Sequence, residues 1–363
     1  MSQSRRHVVF ISPLPPPVGG IATWTETIRN RGLGDDWRIS IVDVRMRGKT
    51  VADKSSSIFT EICRTLRILI NLIRILVFDS PDLVHLNSSL SERGIFRDAL
   101  LVTIVRLFRI PVITNLRGNF LPGKIVALSR STEAAYRFMF KRSQKIVALS
   151  IVSKNGVHQL GNFENKTVVM PNFVDIKHIP TKQENKTREL RVAYLGTLIE
   201  SKGLKTIYET AAQLPELEFI LIGDTPVKSA PSDLVGKLSN LTNISLTGSL
   251  PHSAALEMIS DCDVLLLPSH SEGFPLAVAE AMAIGLVIIA SPVGAIPEMV
   301  DTPEGGFLIP HQASDDYVSA LRTLSSSPEL RKKLGEHNRS KSISMYAYED
   351  VIDRWLNIYQ AIT

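Results

Sequence analysis

The chain has 363 residues, of which 44% are apolar and 21% charged; this is enough apolar surface for two domains and excludes a disordered protein. Two cysteines, Cys63 and Cys262, both in apolar segments, exclude a disulfide framework and favour a reducing compartment. The net charge of +5 hides an asymmetry, because residues 1–180 hold 26 Lys and Arg against 13 Asp and Glu, whereas the remainder holds 15 against 23. The basic first half predicts an anionic partner.

Neither a secretory signal nor a membrane span is predicted. The apolar run that follows the basic N-terminus is too short for a signal peptide, and no stretch of about 18 uninterrupted apolar residues occurs later. We therefore expect a cytoplasmic protein, placed at the inner face of the cell membrane if its basic half meets anionic lipid.

The first predicted elements are a strand at residues 8–12, a proline-rich loop and a helix that starts near Ile21. Gly19 and Gly20 precede this helix. Glycine lets the backbone approach a phosphate closely, and the helix dipole favours an anion there. An ordinary strand-to-helix turn explains the same two glycines equally well.

Residues 59–77 show the period of an amphipathic helix with a cationic face. One interpretation is a helix that packs its apolar face on a sheet and leaves the cationic face in solvent. The other is that the cationic face docks on an anionic membrane surface, within residues 45–74. The apolar positions are Phe59, Ile62, Leu66, Leu69, Ile73 and Leu76, and the polar ones are Arg64, Arg67, Asn71 and Arg74.

Two polar residues follow later strands of the first half. His85 lies near the end of a predicted strand, where a packed histidine is more common than a catalytic one. Arg117 follows a strand at 111–115; it cannot act as a base near neutral pH, but it could bind a phosphate or donate hydrogen bonds to a hydroxyl group. Asn172 closes this half of the chain, before a polar, aperiodic linker at 176–190.

The second half repeats the order of strand, loop and helix. One strand ends at Gly196, and a helix starts near Gly203, so Lys202 lies at a helix start, where a lysine is ordinarily a solvent residue. A further strand ends at Gly223, and a loop follows another strand at 248–252. Because ligands of parallel sheets bind at the carboxyl ends of the strands, we expect these loops to share one edge.

The pattern Asp261-Cys262-Asp263 resembles a D-x-D metal and nucleotide-sugar signature. Here it lies between a helix end and a buried strand, where an aspartate at a turn is common. Since no other cluster has metal-ligand spacing, we expect neither a metal nor another cofactor.

The segment that organises the chain is SHSEGFPLAVAEAMAIGLVIIASPVGAIPE, at 269–298. It follows an apolar run at 264–267 that predicts a buried strand, and it predicts in turn a tight loop, a helix and a second buried strand. Glu272 lies in the loop and Glu280 in the helix, with seven residues between them. The loop offers backbone N–H groups at a helix N-terminus, which suits hydroxyls and anions.

These residues resemble the E-x7-E signature of retaining glycosyltransferases of the GT-B fold, in the large family 4. The resemblance implies an α/β protein with two Rossmann-like, doubly wound parallel-sheet domains that face a central cleft. The first domain would cover residues 1–178 and be completed by a returning helix at 345–363, and the donor domain would cover 190–342.

The same resemblance implies roles for the site residues. Glu280 would bind the ribose of a nucleotide-diphosphate sugar, most simply a UDP-sugar, Glu272 the sugar, and Lys202 the diphosphate. Thr197 stands where the family usually has Arg, and Arg117 where it commonly has His. The predicted catalytic residues are Glu272, Lys202 and Arg117, and the predicted donor-binding residues are Gly19, Gly20, Gly196, Thr197, Lys202, Gly223, Ser249, Leu250, Glu272, Gly273, Phe274, Pro275, Leu276 and Glu280.

The predicted partners are the nucleotide sugar, a glycan or lipid-linked acceptor of cell-surface polysaccharide or lipopolysaccharide assembly, and an anionic membrane surface. A non-hydrolysing nucleotide-sugar epimerase and a non-enzymatic protein that binds anionic surfaces remain alternatives. Glycoside hydrolysis would need a carboxylate nucleophile, and a dinucleotide oxidoreductase a G-x-G-x-x-G that neither half contains. The basic half lacks interleaved aromatics or a recognisable module, so we expect no nucleic-acid partner.

Overall fold

The computed structural model describes residues 5–16, 19–45, 58–88, 92–118, 120–182, 189–225 and 233–363. Part of the basic loop predicted to take part in membrane docking, at 46–57, lies outside the described residues. The chain divides into two compact units: unit 1 contains Met1–Asn172 and Val351–Thr363, and unit 2 contains Phe173–Asp350.

Unit 1 alternates strands and helices, and its described strands form one six-stranded parallel sheet in the order β2-β1-β3-β4-β5-β6. The strands are short apolar runs in the sequence because the two faces of a parallel sheet are both covered by helices. The strands are β1 (Arg6–Ser12), β2 (Trp37–Asp43), β3 (Leu83–Ser88), β4 (Val112–Leu116), β5 (Lys145–Ala148) and β6 (Thr167–Val169). The helices are α1 (Gly20–Arg31), α2 (Ile58–Phe78), α3 (Glu92–Leu107), α4 (Pro122–Val126), α5 (Arg130–Arg142) and α6 (Ile151–Gln159).

Unit 2 has a second parallel sheet with six described strands, in the order β12-β11-β10-β7-β8-β9. The first and fourth strands of this unit, β7 and β10, are neighbours, which is the strand order of dinucleotide-binding sheets. Its strands are β7 (Arg191–Leu195), β8 (Glu218–Ile222), β9 (Ile244–Gly248), β10 (Val264–Leu267), β11 (Val287–Ala290) and β12 (Gly306–Leu308). Its helices are α7 (Leu204–Ala212), α8 (Asp233–Ser239), α9 (His252–Ser260), α10 (Leu276–Ile284), α11 (Ile296–Met299), α12 (Ser314–Ser326) and α13 (Pro328–Tyr346), and the chain ends with α14 (Tyr348–Gln360).

Helix α10 is buried around most of its circumference, with every residue from Val278 to Ile284 in the interior. Helix α13 closes one side of it at a glycine pair. Gly285 ends α10 in the left-handed region, and a Cβ on Gly335 of α13 would collide with its carbonyl oxygen. The helix is therefore held in place from all sides, which fixes the position of any polar side chain that it carries.

The last helix contributes to unit 1. Trp355 and Tyr359 of α14 are 2% and 1% exposed, and their rings contact the ring of His85 on β3. The C-terminal segment from Val351 is thus part of the core of unit 1.

Helix α2 is turned relative to the sequence expectation. Ile68, Leu72 and Leu76 are its buried residues, and only Leu76 of these was expected to pack. Apolar side chains cover more than one face of this helix, so periodicity alone could not decide which face packs on the sheet. Of the other expected packing residues, Leu69 is half-buried against the core. The remaining four, Phe59, Ile62, Leu66 and Ile73, are 75%, 52%, 52% and 40% exposed.

The arginines of α2 are also placed differently from the expectation. Arg64 and Arg67 are half-buried, whereas Arg74 is exposed. Arg64 forms an ion pair with Glu61, and Arg67 donates a hydrogen bond to the carbonyl oxygen of Arg45. Cys63, expected in apolar surroundings, is exposed. Within the described part of the chain, no helix is both long and apolar enough to cross a membrane.

Candidate active site

The candidate site of unit 2 lies where β7 and β10 end side by side. Lys202 closes a 3-10 helix, Glu200–Lys202, that follows β7, and Glu272 lies in the loop after β10. Strands β8 and β9 follow on one side of this point, and β11 and β12 follow on the other. Such a reversal of strand order is where open α/β sheets bind their ligands, at the carboxyl ends of the strands.

Lys202 and Glu272, both predicted from the sequence, form an ion pair. Lys202 Nζ lies 2.6 Å from Glu272 Oε1. The glutamate is 8% exposed, and a carboxylate so little exposed requires a partner. Burial and then the charge of Glu272 raise the pKa of the nearby Tyr194 phenol, so Tyr194 stays neutral and donates to the carbonyl of Thr197 at 2.8 Å.

Glycines hold the backbone on both sides of this pair. Gly294, in the loop after β11, has φ +61°, and a Cβ there would collide with the carbonyl oxygen of Glu272. Gly203 has φ +81°, and a Cβ would collide with the carbonyl oxygen of Pro268 at the end of β10. Only glycine permits both the left-handed backbone and these close approaches.

Glu280 forms a second pair within unit 2, with His252. His252 Nε2 lies 2.8 Å from Glu280 Oε1, and Glu280 is 7% exposed. The hydrogen bond to Glu280 raises the pKa of His252. As the pH falls, His252 therefore takes up its proton at a higher pH than an ordinary histidine does. Sequence reasoning missed His252, because nothing in a helix-start histidine indicates a partner 28 residues away.

The other predicted donor residues of unit 2 lie in loops at the same edge of the sheet. Gly223 has φ +150°, and a Cβ would collide with the carbonyl oxygen of Gly196, so the loops after β7 and β8 touch through their backbones. Gly223 also donates to the carbonyl of Gly248 at 3.0 Å. Ser249 and Leu250 follow β9, and the segment Gly273–Leu276 connects Glu272 to the first residue of α10.

Asp261 and Asp263 lie at the opposite edge, just before β10 begins. Asp263 accepts a hydrogen bond from the backbone of Arg191 at 3.0 Å and lies 3.7 Å from Lys182 Nζ. Through these contacts Asp263 stabilises the amino-terminal ends of the strands, at the opposite side of the sheet from Glu272. Metal independence remains a prediction.

Arg117 lies in unit 1, after β4, and its guanidinium is fixed on two sides. Its carbon Cζ lies 4.6 Å from the centre of the Trp24 ring, and Nη1 donates to Asn172 Oδ1 at 2.6 Å. Burial lowers the pKa of Arg117 to about 9, so the group remains a cation near neutral pH. Gly19 and Gly20 lie at the start of α1, and a Cβ on Gly19 would meet nothing within 4 Å.

His85 is a packed residue. It is fully buried, its Nδ1 lies 2.6 Å from the Tyr359 hydroxyl, and its Nε2 lies 3.3 Å from Asn115 Nδ2. Burial, followed by the charge of Arg117, lowers the pKa of His85 to about 3. A histidine that stays neutral and enclosed is not a general base of the site.

Two family models match successive halves of the chain. The model described as Glycosyltransferase Family 4 matches residues 18–178, and the model described as Glycosyl transferases group 1 matches residues 175–341.

Two curated relatives are similar to this chain over more than half of its length. An uncharacterized glycosyltransferase of Methanocaldococcus jannaschii is 27% identical over 70% of this chain and 69% of its own. The N,N'-diacetylbacillosaminyl-diphospho-undecaprenol alpha-1,3-N-acetylgalactosaminyltransferase of Campylobacter jejuni is 24% identical over 62% and 63%. Two further curated relatives are matched over 45% and 50% of their own length.

Solved structures share the fold. Sucrose-phosphate synthase from Thermosynechococcus elongatus superposes with a TM-score of 0.81 at 17% identity, covering 99% of both chains. HepE of Anabaena, solved with UDP and glucose, gives a TM-score of 0.75 at 15% identity over 98% of this chain and 99% of its own. The two parallel sheets with flanking helices are those of the GT-B glycosyltransferase fold.

Proposed function

Since the chain belongs to the glycosyltransferases of family 4 and group 1, we propose that it moves a sugar from a nucleotide diphosphate to a glycan or lipid-linked acceptor. The anomeric configuration of the sugar is retained. The expected donor is a UDP-sugar, because HepE, which shares the fold, was solved with UDP and with UDP-glucose. The setting is cell-surface polysaccharide assembly at the inner face of the cell membrane.

The observation that carries this proposal is the Lys202–Glu272 pair at the switch point of the donor sheet. When a donor binds, Lys202 supplies the positive charge beside the departing diphosphate, and a lysine is suited to this role as a compact point charge. Glu272 is then released to accept hydrogen bonds from the hydroxyls of the sugar. The ion pair keeps both groups in place until that exchange.

Glu280 anchors the nucleoside. Its carboxylate accepts hydrogen bonds from the ribose hydroxyls, and His252 holds Oε1, which leaves Oε2 for the ribose. The N–H groups of Gly273 and Phe274 contribute further donors at the start of α10.

Unit 1 binds the acceptor. Arg117, held by Trp24 and Asn172, supplies a fixed cation for a phosphate or a sugar hydroxyl. The relative from Campylobacter jejuni is named for an undecaprenol diphosphate acceptor, and the basic composition of residues 1–180 suits such an acceptor. The transfer itself needs no metal in this proposal, since Lys202 supplies the charge.

Thermal unfolding with candidate ligands tests the donor assignment. We expect UDP and a UDP-sugar to raise the unfolding temperature, since a ligand that binds only the folded state stabilises it. NAD and DNA should leave it unchanged, and EDTA should not abolish the shift. The sugar is then identified by the product mass, and retention by NMR of the new anomeric centre.

The variant Glu280→Gln should lose most of the shift, whereas Glu257→Gln, an exposed position on α9, should keep it. A response to NAD or DNA with none to any nucleotide sugar would refute the proposal. Interconversion of the sugar without an acceptor would identify an epimerase instead.

A further inference from the structure

Helix α2 exposes a continuous row of large apolar side chains, which we name the apolar stripe. The spacing of three and four residues puts them on one face of the helix, over about 27 Å of its length. Isolated exposed apolar residues are normal on a protein surface, but an unbroken row is typical of an interaction site. The stripe consists of Phe59 (75% exposed), Ile62 (52%), Leu66 (52%), Ile70 (58%), Ile73 (40%) and Val77 (50%).

The stripe is not a consequence of poor packing of the helix. The other side of α2 is well packed, because Ile68, Leu72 and Leu76 lie in the hydrophobic core of unit 1. Rotating the helix to hide the stripe would expose these residues instead. The sequence of α2 therefore maintains two apolar faces, and the core uses only one of them.

The neighbouring helices extend the same kind of surface. Helix α2 contacts α3, and α3 contacts α5. Helix α3 exposes Phe96 (50%), Leu100 (42%) and Leu107 (76%), which are spaced by four and seven residues on one face, and α5 exposes Phe138 (39%).

The charges of this three-helix surface are mainly positive. The half-buried carboxylates of Glu61 and Glu133 are paired with Arg64 and Arg137. Such a surface complements anionic headgroups, and it would repel a second copy of itself. Among the described residues, the exposed or half-exposed cations on and next to α2, α3 and α5 include Arg74, Arg106, Arg109, Arg130, Arg137, Lys141 and Arg142.

We propose that α2, with its neighbours α3 and α5, docks unit 1 on an anionic lipid bilayer, with the apolar stripe inserted among the headgroups and the surrounding arginines on the phosphates. A helix of this kind lies in the plane of the interface. The docking surface is thus the apolar face of α2, and not the cationic face that the sequence suggested. This inference deepens the proposed function, because it places the enzyme where a lipid-linked acceptor is found.

Sedimentation with vesicles tests the docking. The full chain should bind vesicles of phosphatidylcholine with phosphatidylglycerol, and it should bind vesicles of phosphatidylcholine alone less tightly. At about 1 M salt, where the Debye length is about 3 Å, a reduced but measurable fraction should remain bound, since apolar insertion is not screened. Loss of all binding at high salt would refute insertion.

A pair of variants separates insertion from charge. Leu66→Gln with Ile70→Gln removes two residues of the stripe without changing the charge, and we expect the vesicle partition coefficient to fall at least about tenfold. The matched control is Ile343→Gln with Met345→Gln, two exposed apolar residues of α13 in unit 2 (38% and 45% exposed), which should bind like the wild type. Equal binding by both double variants would refute the proposal.

Cys63 provides a direct reporter of insertion. It is exposed on α2, whereas Cys262 is buried, so a thiol-reactive, polarity-sensitive dye labels the docking helix. Its emission should shift to the blue with anionic vesicles and not with phosphatidylcholine alone, and no shift would count against insertion.

Failure of the docking is distinguishable from failure of the proposed function. The Leu66→Gln, Ile70→Gln variant should keep the full thermal shift with UDP, because the donor residues lie in unit 2. Sedimentation velocity should show a monomer without vesicles; a dimer that this variant dissociates would assign the stripe to a second copy and overturn the lipid assignment.

Discussion

Lys202 and Glu272 show at the residue scale how two charged residues of the candidate site hold each other in place. The two residues are 70 positions apart, and each is the other's counter-ion at the end of a different strand. A ligand with a diphosphate and hydroxyls can replace both partners at once, so the cost of separating the pair is offset in the complex.

We predict that Lys202→Ala weakens UDP-sugar binding at least about tenfold, because the diphosphate loses its cation. It should also lower the free energy of unfolding by about 1–3 kcal/mol, since Glu272 is left buried without a partner. Calorimetric titration and denaturant unfolding measure the two effects. Lys205→Ala, which removes an exposed lysine of α7, is the control; donor binding equal in the two variants would contradict the assigned role.

The His252–Glu280 pair predicts a dependence of stability on pH. Because the folded pKa of His252 is raised, its stabilisation is complete below its ordinary value of about 6.5 and is lost as the pH rises through the folded pKa. The effect should stay below about 1 kcal/mol, since the His252 side chain is 45% exposed.

Unfolding of His252→Asn and of the wild type, compared at about pH 6 and pH 9, measures this effect; the variant should be destabilised only at the lower pH. His178→Asn, at a histidine that is 77% exposed beside Asp175, serves as the control. A larger difference at pH 9 than at pH 6 would have the wrong sign.

At the scale of elements, short loops and glycines place the predicted donor residues. The loop after β11 supports the loop after β10, since Ala295 donates to the carbonyl of Gly273 at 2.8 Å and Gly294 lies against Glu272. Helix α10 then carries Glu280 from a position enclosed by α9 and α13. Glu272 and Glu280, the two ends of the E-x7-E spacing, are thus held by a loop and by a buried helix.

We predict that Gly294→Ala displaces the Glu272 loop, because the new methyl group collides with a backbone carbonyl oxygen that no rotamer can avoid. Donor binding should fall at least about tenfold. The free energy of unfolding should decrease by more than the strain of an alanine in the left-handed conformation, which is about 1–2 kcal/mol. Gly34→Ala, with φ +85° and open space around its Cβ, measures that strain alone. The same stability loss in both variants, with donor binding intact in Gly294→Ala, would exclude the proposed support.

At the scale of the whole molecule, the C-terminal segment from Val351 completes the core of unit 1. His85 and Tyr359 are 274 residues apart and share a hydrogen bond inside unit 1. The C-terminal segment therefore buries a histidine that must remain neutral in the folded protein. The stability of the fold consequently depends on the pH.

We predict that acid destabilises the protein through His85. Its folded pKa is depressed to about 3, so the unfolded chain binds the additional proton below about pH 6.5, and stability falls by about 1.4 kcal/mol per pH unit as the pH decreases in that range. Denaturant unfolding between about pH 6.5 and pH 4.5 measures the slope. His85→Gln should be less stable at pH 7 but should show a smaller slope, and an unchanged slope would contradict the prediction.

The sequence by itself determined the fold class, and it also supplied the donor-residue assignment in unit 2, which stays a prediction. Apolar strands that alternate with helices specify parallel sheets through local periodicity, and the spacing of Glu272 and Glu280, with Lys202 at a helix start, is a local pattern that resembles a known family. Such information lies in short segments, so it can be read without knowing how distant segments meet.

Only the tertiary structure decided which groups become partners and which faces are covered. It paired His252 with Glu280, Arg117 with Trp24 and Asn172, and His85 with Tyr359, and it turned the outer face of α2 to solvent. These outcomes depend on contacts between residues far apart in the chain and on how well competing faces of one helix fill the core. Periodicity along a single segment contains neither kind of information.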